Sequence, residues 1–352
     1  MKEERFIVVP KVSIRPSKVV FYQQFVPKYK SEKNVSISPE QRKDAFNILH
    51  NICDPVEKVF NAHNFEISKK ASARIKEKIS WLYELSKSKT ITKKIDKPMY
   101  SYKMCFLTLT LPFVQQHETS EITKVCLHQF LTECKIKFGM NNYVWRLEFQ
   151  KNGNAHYHIA TDSYIDYVSC KLIWNRCLQK LGYISWYSDK MSKLSFEDYR
   201  KLYSDNGKVS FEKLRERYGR GCATRWDSPN TVDVIAVANA KNIAFYISKY
   251  ITKKSDTAMN PIVSEREPKT SNLRLWYCSK SLSALDKIEI FLEEYDELVD
   301  KCLGGLNVAK SLVFDYCKVW YYNTKEQVSE TKRDIWQLFR RYSKERNYIP
   351  AG

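Results

Sequence analysis

The chain has ten cysteines among 352 residues, and no two of them stand in CxxC spacing. Neither a zinc ribbon nor a thioredoxin-like dithiol is therefore supported. No window approaches the roughly 18 consecutive apolar residues of a membrane-spanning helix. The opening MKEERFIVVP has no long apolar run behind it, so no signal peptide is expected, and free thiols in a reducing cytoplasm are the simple reading. The chain lacks the GxxxxGK[ST] loop that cradles nucleotide phosphates, so no helicase motor is expected in it. It also lacks the K/R-G-F/Y-G/A-F run of an RNA-binding sheet, internal repeats and low-complexity tracts. Acidic residues are in short supply: 40 against 59 basic ones, a formal net charge of +19. That imbalance points to a polyanionic partner, of which nucleic acid is the usual one, without choosing between DNA and RNA.

The hydrophobic fraction of 43% and aromatic fraction of 14% suit a folded protein. The length suits one large domain with extensions. Residues 1 to 98 read as a basic, mainly helical N-terminal extension. Ser38-Pro39-Glu40 looks like a helix start, and Ala73, Ile75, Ile79, Leu82 and Leu85 recur at three or four. The lysine-rich SKSKTITKKIDKP that follows reads as a solvated linker or a phosphate-facing arm. MCFLTLTL, residues 104 to 111, is the clearest strand, with Thr108 and Thr110 on one face and Leu107, Leu109 and Leu111 on the other. A helix over about 122 to 138 should end at Gly139. Then come a hairpin from YVWRLEFQ to HYHIAT, a helix over about 168 to 181 closed by Gly182, the strand VDVIAV at 232 to 237, and a helix from about Ala240 to Lys254 capped by Asn239.

Residues 186 to 230 read as a loop-rich insertion. Basic and aromatic residues alternate in RERYGRGCATRW, as on a single-strand binding surface, or as in an ordinary exposed loop. Residues 284 to 352 read as a helical, basic C-terminal region ending in KRDIWQLFRRYSKER, which could bind duplex DNA or simply be a solvated helix.

Only six histidines occur, and two of them, His156 and His158, stand on one face of the second hairpin strand. Arg146, Glu148 and Gln150 share a face of the first strand. A two-residue Asn152-Gly153 turn would set His156 against Phe149. A three-residue Asn152-Gly153-Asn154 loop would set Gln150 against His156, Glu148 against His158 and Phe149 against Tyr157. The second register keeps polar with polar and is the one expected. Two imidazoles and a carboxylate then converge, a set that suits Mg²⁺ or Mn²⁺ in a phosphate-handling site, or Zn²⁺ on ligand type alone. The bland alternative is a pair of satisfied polar side chains. A cupin-like reading, with Asp162 as the acid, lacks a later histidine in a matching strand.

The second constellation is AFYISKYITKK, residues 244 to 254. At 100° per residue, Tyr246, Lys249, Tyr250 and Lys253 share about a third of the helix circumference, beside a stripe of Ile243, Ile247 and Ile251. A phenol is a poor nucleophile at neutral pH until a metal or a lysine stabilises the charge that develops at a phosphate. Alone, the pattern is also that of tyrosines packing with snorkelling lysines.

Taken in order, FLTLTLP, HYH and YISKYITKK resemble the three motifs of HUH endonucleases, and more closely the two-tyrosine rolling-circle replication initiators of small single-stranded DNA phages and related plasmids. Tyrosines that follow the histidines set the chain apart from relaxases. The resemblance covers about residues 104 to 254, and SNLRLWYCSKSLS could extend it to 283. It implies an α+β domain over residues 99 to 283 with a central antiparallel sheet flanked by helices, and His156, His158 and Glu148 as metal ligands with Gln150 as a substitute for Glu148. It implies Tyr246 and Tyr250 as nucleophiles and Lys249 as their helper at the phosphate. It further implies a divalent Mg²⁺ or Mn²⁺ cofactor, single-stranded origin DNA as substrate, a host helicase and DNA polymerase as partners, and the cytoplasm of a bacterial host as the location. The rival readings are an HUH transposase and a non-catalytic basic nucleic-acid binder.

Overall fold

The computed structural model describes residues 6–15, 18–27, 67–92, 99–204, 209–237, 261–267, 273–285, 288–291, 308–314 and 317–322. The chain divides into two compact units. One is made of Met1–Asn61 and Ala284–Tyr348; the other is Ala62–Ser283 with Ile349–Gly352.

The terminal unit holds a five-stranded antiparallel sheet. Its strands are β1 (Phe6–Arg15) and β2 (Lys18–Pro27) from the front of the chain, and β10 (Ile288–Phe291), β11 (Val308–Phe314) and β12 (Cys317–Tyr322) from the back, in the order β10-β1-β2-β12-β11. This corrects the expectation of mainly helical extensions for residues 6–27 and for the described strands between 288 and 322, whereas the helix expected around Ala73 to Leu85 is present. FIVVPKVSIR, KVVFYQQFVP and CKVWYY are rich in β-branched and aromatic residues. Such residues pack on a pleated surface and lose rotamer freedom in a helix. The stretches at 38–40 and from 332 onward, read as helix and basic tail, lie outside the described residues.

The central unit opens with helix α1 (Lys69–Leu85). The Ser68 side chain caps it by accepting from Ala71 N at 3.1 Å, and Ile75, Ile79, Trp81, Leu82 and Leu85 are its buried side. A short ribbon, β3 (Lys89–Thr92) with β4 (Met99–Tyr102), leads to β5 (Met104–Leu109). The central sheet joins β5, β6 (Tyr143–Phe149), β7 (Ala155–Thr161), β8 (Val232–Val237) and β9 (Trp276–Cys278) in the order β8-β5-β7-β6-β9, antiparallel throughout. The domain is α+β, as expected.

Between β5 and β6 runs a helical stretch: Thr119–Ile122, a π-turn at Thr123–Leu127, and α2 (His128–Phe138). Gly139 ends it at φ +64, where its amide reaches Lys135 O and that of Met140 reaches Cys134 O. Helix α3 (Tyr167–Gln179) follows β7 and is capped by Asp166. One face of the sheet, with Leu107, Leu109, Trp145, Leu147, Tyr157 and Ile159, packs on Phe130, Cys134, Ile173, Trp174 and Cys177 of α2 and α3. The Tyr157 ring meets Trp145 and Trp174 edge-on, and its hydroxyl lies 2.8 Å from Thr123 Oγ1. Burying rings of this size stabilises the domain by about 25 cal/mol for each Å² of apolar surface removed from water.

Residues 186–230 are not loop-rich. They hold the end of α4 (Tyr183–Ser192), α5 (Phe196–Tyr203) and α6 (Phe211–Ala223), around a small core of Met191, Tyr199, Leu214 and Trp226. The aromatic residues that made the stretch look like a nucleic-acid loop fill this core. Ser195 and Ser210 cap α5 and α6 by accepting from Asp198 N and Lys213 N. Beyond β8 come α7 (Pro261–Arg266), and after β9 the single turn α8 (Lys280–Ser283). Among the described residues no helix is long and apolar enough to cross a membrane.

Candidate active site

The site lies on the other face of the central sheet. Parity is set by the pairs Thr108↔His158, Arg146↔His158 and Thr108↔Asp233, so these side chains share that face. Towards one end the face is apolar and closed: Met104, Phe106, Val144, Ala160 and Cys278 are buried. Towards the other end it carries Thr108, Thr110, Glu148, Gln150 and His156, all half-buried. His158 and Arg146 lie between, 4% and 3% exposed.

The hairpin turns through Lys151-Asn152-Gly153, one residue earlier than expected. Gln150 N donates to Asn154 O at 2.9 Å and Gly153 N to Gln150 O at 2.8 Å. Gly153 takes the left-handed position at φ +79, and a Cβ there would meet Ile262 of α7 at 3.0 Å. Asn154 cannot join the turn because its side chain is committed. Its Oδ1 accepts from Gln115 N at 2.9 Å, and its Nδ2 donates to Phe113 O at 2.8 Å. The expected register is corrected accordingly: Glu148 stands opposite His156, Arg146 opposite His158, and Leu147 rather than Phe149 opposite Tyr157. The shift is by two residues, so every side chain keeps the face the sequence predicts.

The polar groups are tied together diagonally. Glu148 Oε2 lies 3.0 Å from His158 Nε2, and its other oxygen lies 3.1 Å from Arg146 Nη1. Gln150 Nε2 lies 3.3 Å from His156 Nδ1, and Thr110 Oγ1 donates to Gln150 Oε1 at 3.3 Å. Thr108 Oγ1 stands 3.4 Å from His158 Nδ1, and Phe106 stacks on the same imidazole at 5.5 Å between ring centres. The two imidazoles meet edge to face, 4.5 Å apart. Burial, reinforced by the neighbouring His158, pushes His156 down to about 4, so its ring is neutral at pH 7. Burial alone would raise Glu148, but the hydrogen bond to His158 and the charge of Arg146 outweigh it and hold the carboxyl below its ordinary value.

Two imidazoles, a carboxylate and a carboxamide on one face fit a divalent ion by donor chemistry. Two ligands of one ion, each about 2.1 Å from it and at right angles, lie about 3.0 Å apart. The Glu148–His158 pair has that spacing. Among the described residues, however, no three His, Cys, Asp or Glu side chains gather as a metal-holding group. In this structure the donors engage one another rather than a common point.

The hairpin is held from outside as well. Ala155 N donates to Gln115 Oε1 at 2.7 Å, one residue before His156. Arg266 Nη2 donates to Gly153 O at 2.8 Å. Next to it the buried Glu267 accepts from Thr119 N and Oγ1 at the start of the helical stretch, and from Arg266 Nε. Residues 261–267 thus bolt the chain to the hairpin tip, downstream of the tyrosines in sequence. Tyr246, Lys249 and Tyr250 themselves, and the helix expected around them, lie outside the described residues. Sequence reasoning put Arg146 on the right face but gave it no role. It did not identify Thr108 as a partner of His158, nor Gln115 and Glu267 as supports. Strand parity could have found the first two; the supports come from loops whose partners are far away in sequence.

The fold and this face together define a class: an α+β domain whose central antiparallel sheet presents a histidine–glutamate–arginine cluster, with His158 and Arg146 buried and Glu148 half-buried, beside a half-open polar strip. Residues 104–255 of the chain match the family model described as Replication-associated protein ORF2. The match begins at the first residue of β5 and ends just past the two tyrosines. No curated protein and no solved structure matches the chain.

Proposed function

We propose that the protein is a rolling-circle replication initiator that nicks and rejoins single-stranded origin DNA through a tyrosine. One observation carries the reading: a single match to replication-associated proteins spans β5, β6, β7 and β8 of the sheet, both histidines and the segment with Tyr246 and Tyr250. The phenol oxygen of one tyrosine attacks the scissile phosphorus. The new bond is phosphorus to phenol oxygen; the bond that breaks is phosphorus to the 3′ oxygen, which leaves as a hydroxyl after taking up a proton. The 5′ phosphate stays on the protein, and the free 3′ end primes a polymerase. After one round, the second tyrosine repeats the attack at the regenerated junction. The 3′ hydroxyl then released attacks the first phosphotyrosine, so the circle closes with no nucleotide cofactor.

Glu148, His156 and His158 would hold a divalent ion, Mg²⁺ or Mn²⁺, with Gln150 beside them. Such an ion polarises the phosphate and stabilises its developing charge. Thr108 would accept the Nδ1 proton of His158 when Nε2 serves as a ligand. Arg146, too buried to reach DNA, orients the Glu148 carboxylate. Lys249 would set a further cation at the phosphate. The enzyme would act in the cytoplasm of a bacterial host, with a host helicase and polymerase. A transposase with the same chemistry would need paired element ends instead of one origin.

The test is a covalent-adduct assay with labelled single-stranded DNA from the protein's own replicon, with Mn²⁺, Mg²⁺ or EDTA, on a denaturing gel. A metal-dependent shifted band, lost in Tyr246→Phe/Tyr250→Phe, is the expected result. Folded protein that yields no adduct on a verified origin with either ion would leave a basic binding protein.

A further inference from the structure

Helices α5 and α6 cross in the same small bundle, yet they treat their cations differently. On α5, Arg200 is paired with Glu197 at 2.9 Å and Lys201 with Asp198 at 3.8 Å. On α6, Lys213, Arg215, Arg217 and Arg220 are all exposed, and among the described residues only Arg220 is ion-paired, to Glu216 at 3.7 Å. At 100° per residue, Lys213, Arg217 and Arg220 fall within about 60° of the helix circumference, a stripe about 10 Å long. Cations in a last helical turn are favoured by the macrodipole, which accounts for Arg220 but not for Lys213 or Arg217.

The end of α6 is built to hold one more cation out. Arg225 and Trp226 both have left-handed backbones, φ 50 and φ 56, which bulky side chains rarely adopt. They are kept there because the Trp226 indole lies on Gly221 with no room for a Cβ, which would sit 2.2 Å from the ring. Trp226 N donates to Gly221 O at 2.8 Å, and Ser188 Oγ donates to Arg225 O at 2.6 Å. Trp226 thereby packs on Tyr199 and Tyr218 while Arg225 stays exposed.

We propose that this insertion docks on double-stranded DNA, with the Lys213–Arg217–Arg220 stripe and Arg225 against the sugar-phosphate backbone beside the single-stranded stretch that is cut. The proposal deepens the replication reading and rests on it for the identity of the polyanion. Single strands are gripped by aromatic platforms on which bases stack. Here Tyr187, Tyr199, Tyr218 and Trp226 are turned into the bundle, and the stripe offers charge alone. Charge without stacking suits the regular phosphate rows of a duplex and reads no sequence.

The experiment measures binding of the full-length protein to a labelled duplex of arbitrary sequence and to a single strand of equal length, across a salt series. K213Q/R217Q/R220Q is compared with R200Q/K201Q/R215Q, which removes the same charge elsewhere on α5 and α6. The stripe variant should lower the slope of log K against log salt on duplex by about 2 to 3, at roughly 0.9 for each phosphate no longer neutralised. It should bind single strands, and form any adduct on them, as the wild type does. The control variant should change the duplex slope by less than about 1. Equal losses in the two variants, equal losses on duplex and single strand, or a wild type that ignores duplex would each overturn the proposal. A wild type that forms no adduct yet docks on duplex through the stripe would overturn the nicking reading alone.

Discussion

The sheet face and the helical insertion both carry arginines, and the two sets are handled in opposite ways. Arg146 is 3% exposed and gives Glu148 a charged partner at 3.1 Å, while Glu148 in turn touches His158. Arg217 stands in water, with no ion pair among the described residues. A charge taken out of water must be compensated on the spot, and the compensation fixes a geometry. A charge left in water fixes nothing locally but contributes to a field that a polyanion can feel. The buried set therefore reads as machinery held in place, and the exposed set as a surface for contact.

Breaking the two sets should separate them cleanly. Arg146→Met leaves the Glu148 carboxylate half-buried without its cation and should cost about 3 kcal/mol in a urea melt. Arg217→Gln should cost less than about 0.5 kcal/mol, as surface changes do. Equal costs would mean that Arg146 is not holding Glu148. In the insertion, the sensitive position is apolar: Gly221→Ala puts a methyl into the Trp226 ring, and expelling that indole should cost about 3 kcal/mol. The near-UV signal of the tryptophans would report the same event.

Thr108→Val sharpens the comparison on the side of function. It removes the hydroxyl 3.4 Å from His158 Nδ1 and leaves the strand intact. Stability should change by less than about 1.5 kcal/mol, whereas Mn²⁺ affinity, read by electron paramagnetic resonance, should fall about ten-fold or more, as for other partners of ligand histidines. An unchanged affinity would remove His158 from the ligand set.

Much of the domain is legible because its signals are local. MCFLTL and VDVIAV alternate or run apolar over strand lengths, Gly139 and Gly182 stand where helices end, and strand parity alone puts His156, His158, Glu148 and Arg146 on one face. What is not legible depends on distant partners. The hairpin register turns on Asn154, whose side chain is bound by residues 113 and 115, about 40 positions earlier. The terminal sheet pairs β1 with β10 and β2 with β12, from opposite ends of the chain, and no local window shows that. In the insertion, alternation of aromatic and basic residues suggests a binding loop. On a helix the same alternation sorts into a buried side and an exposed one, with Leu214, Tyr218 and Gly221 inward and Lys213, Arg217 and Arg220 outward.

A smaller effect than at Arg146 or Gly221 is expected at Asp166, where a charge is neither buried nor free. Its Oδ1 accepts from Ser169 N at 3.0 Å at the start of α3, the helix that carries Trp174 under the sheet. Burial alone would raise this carboxyl, but the hydrogen bonds from Ser169 and its neighbours outweigh it and hold the group below the ordinary aspartate value. The sign follows: the unfolded chain binds the proton more tightly, so the charged cap stabilises the fold above about pH 4, and that contribution is lost as pH falls through the folded value. Asp166→Ala should cost about 1 kcal/mol at pH 7. Asp166→Asn keeps an acceptor without the titration and should cost less, with no loss specific to acid. If the alanine and wild-type melts stay equally far apart down to pH 3, the cap acts by geometry alone, and charge at this helix start resembles neither the paired cluster of the sheet nor the open stripe of α6.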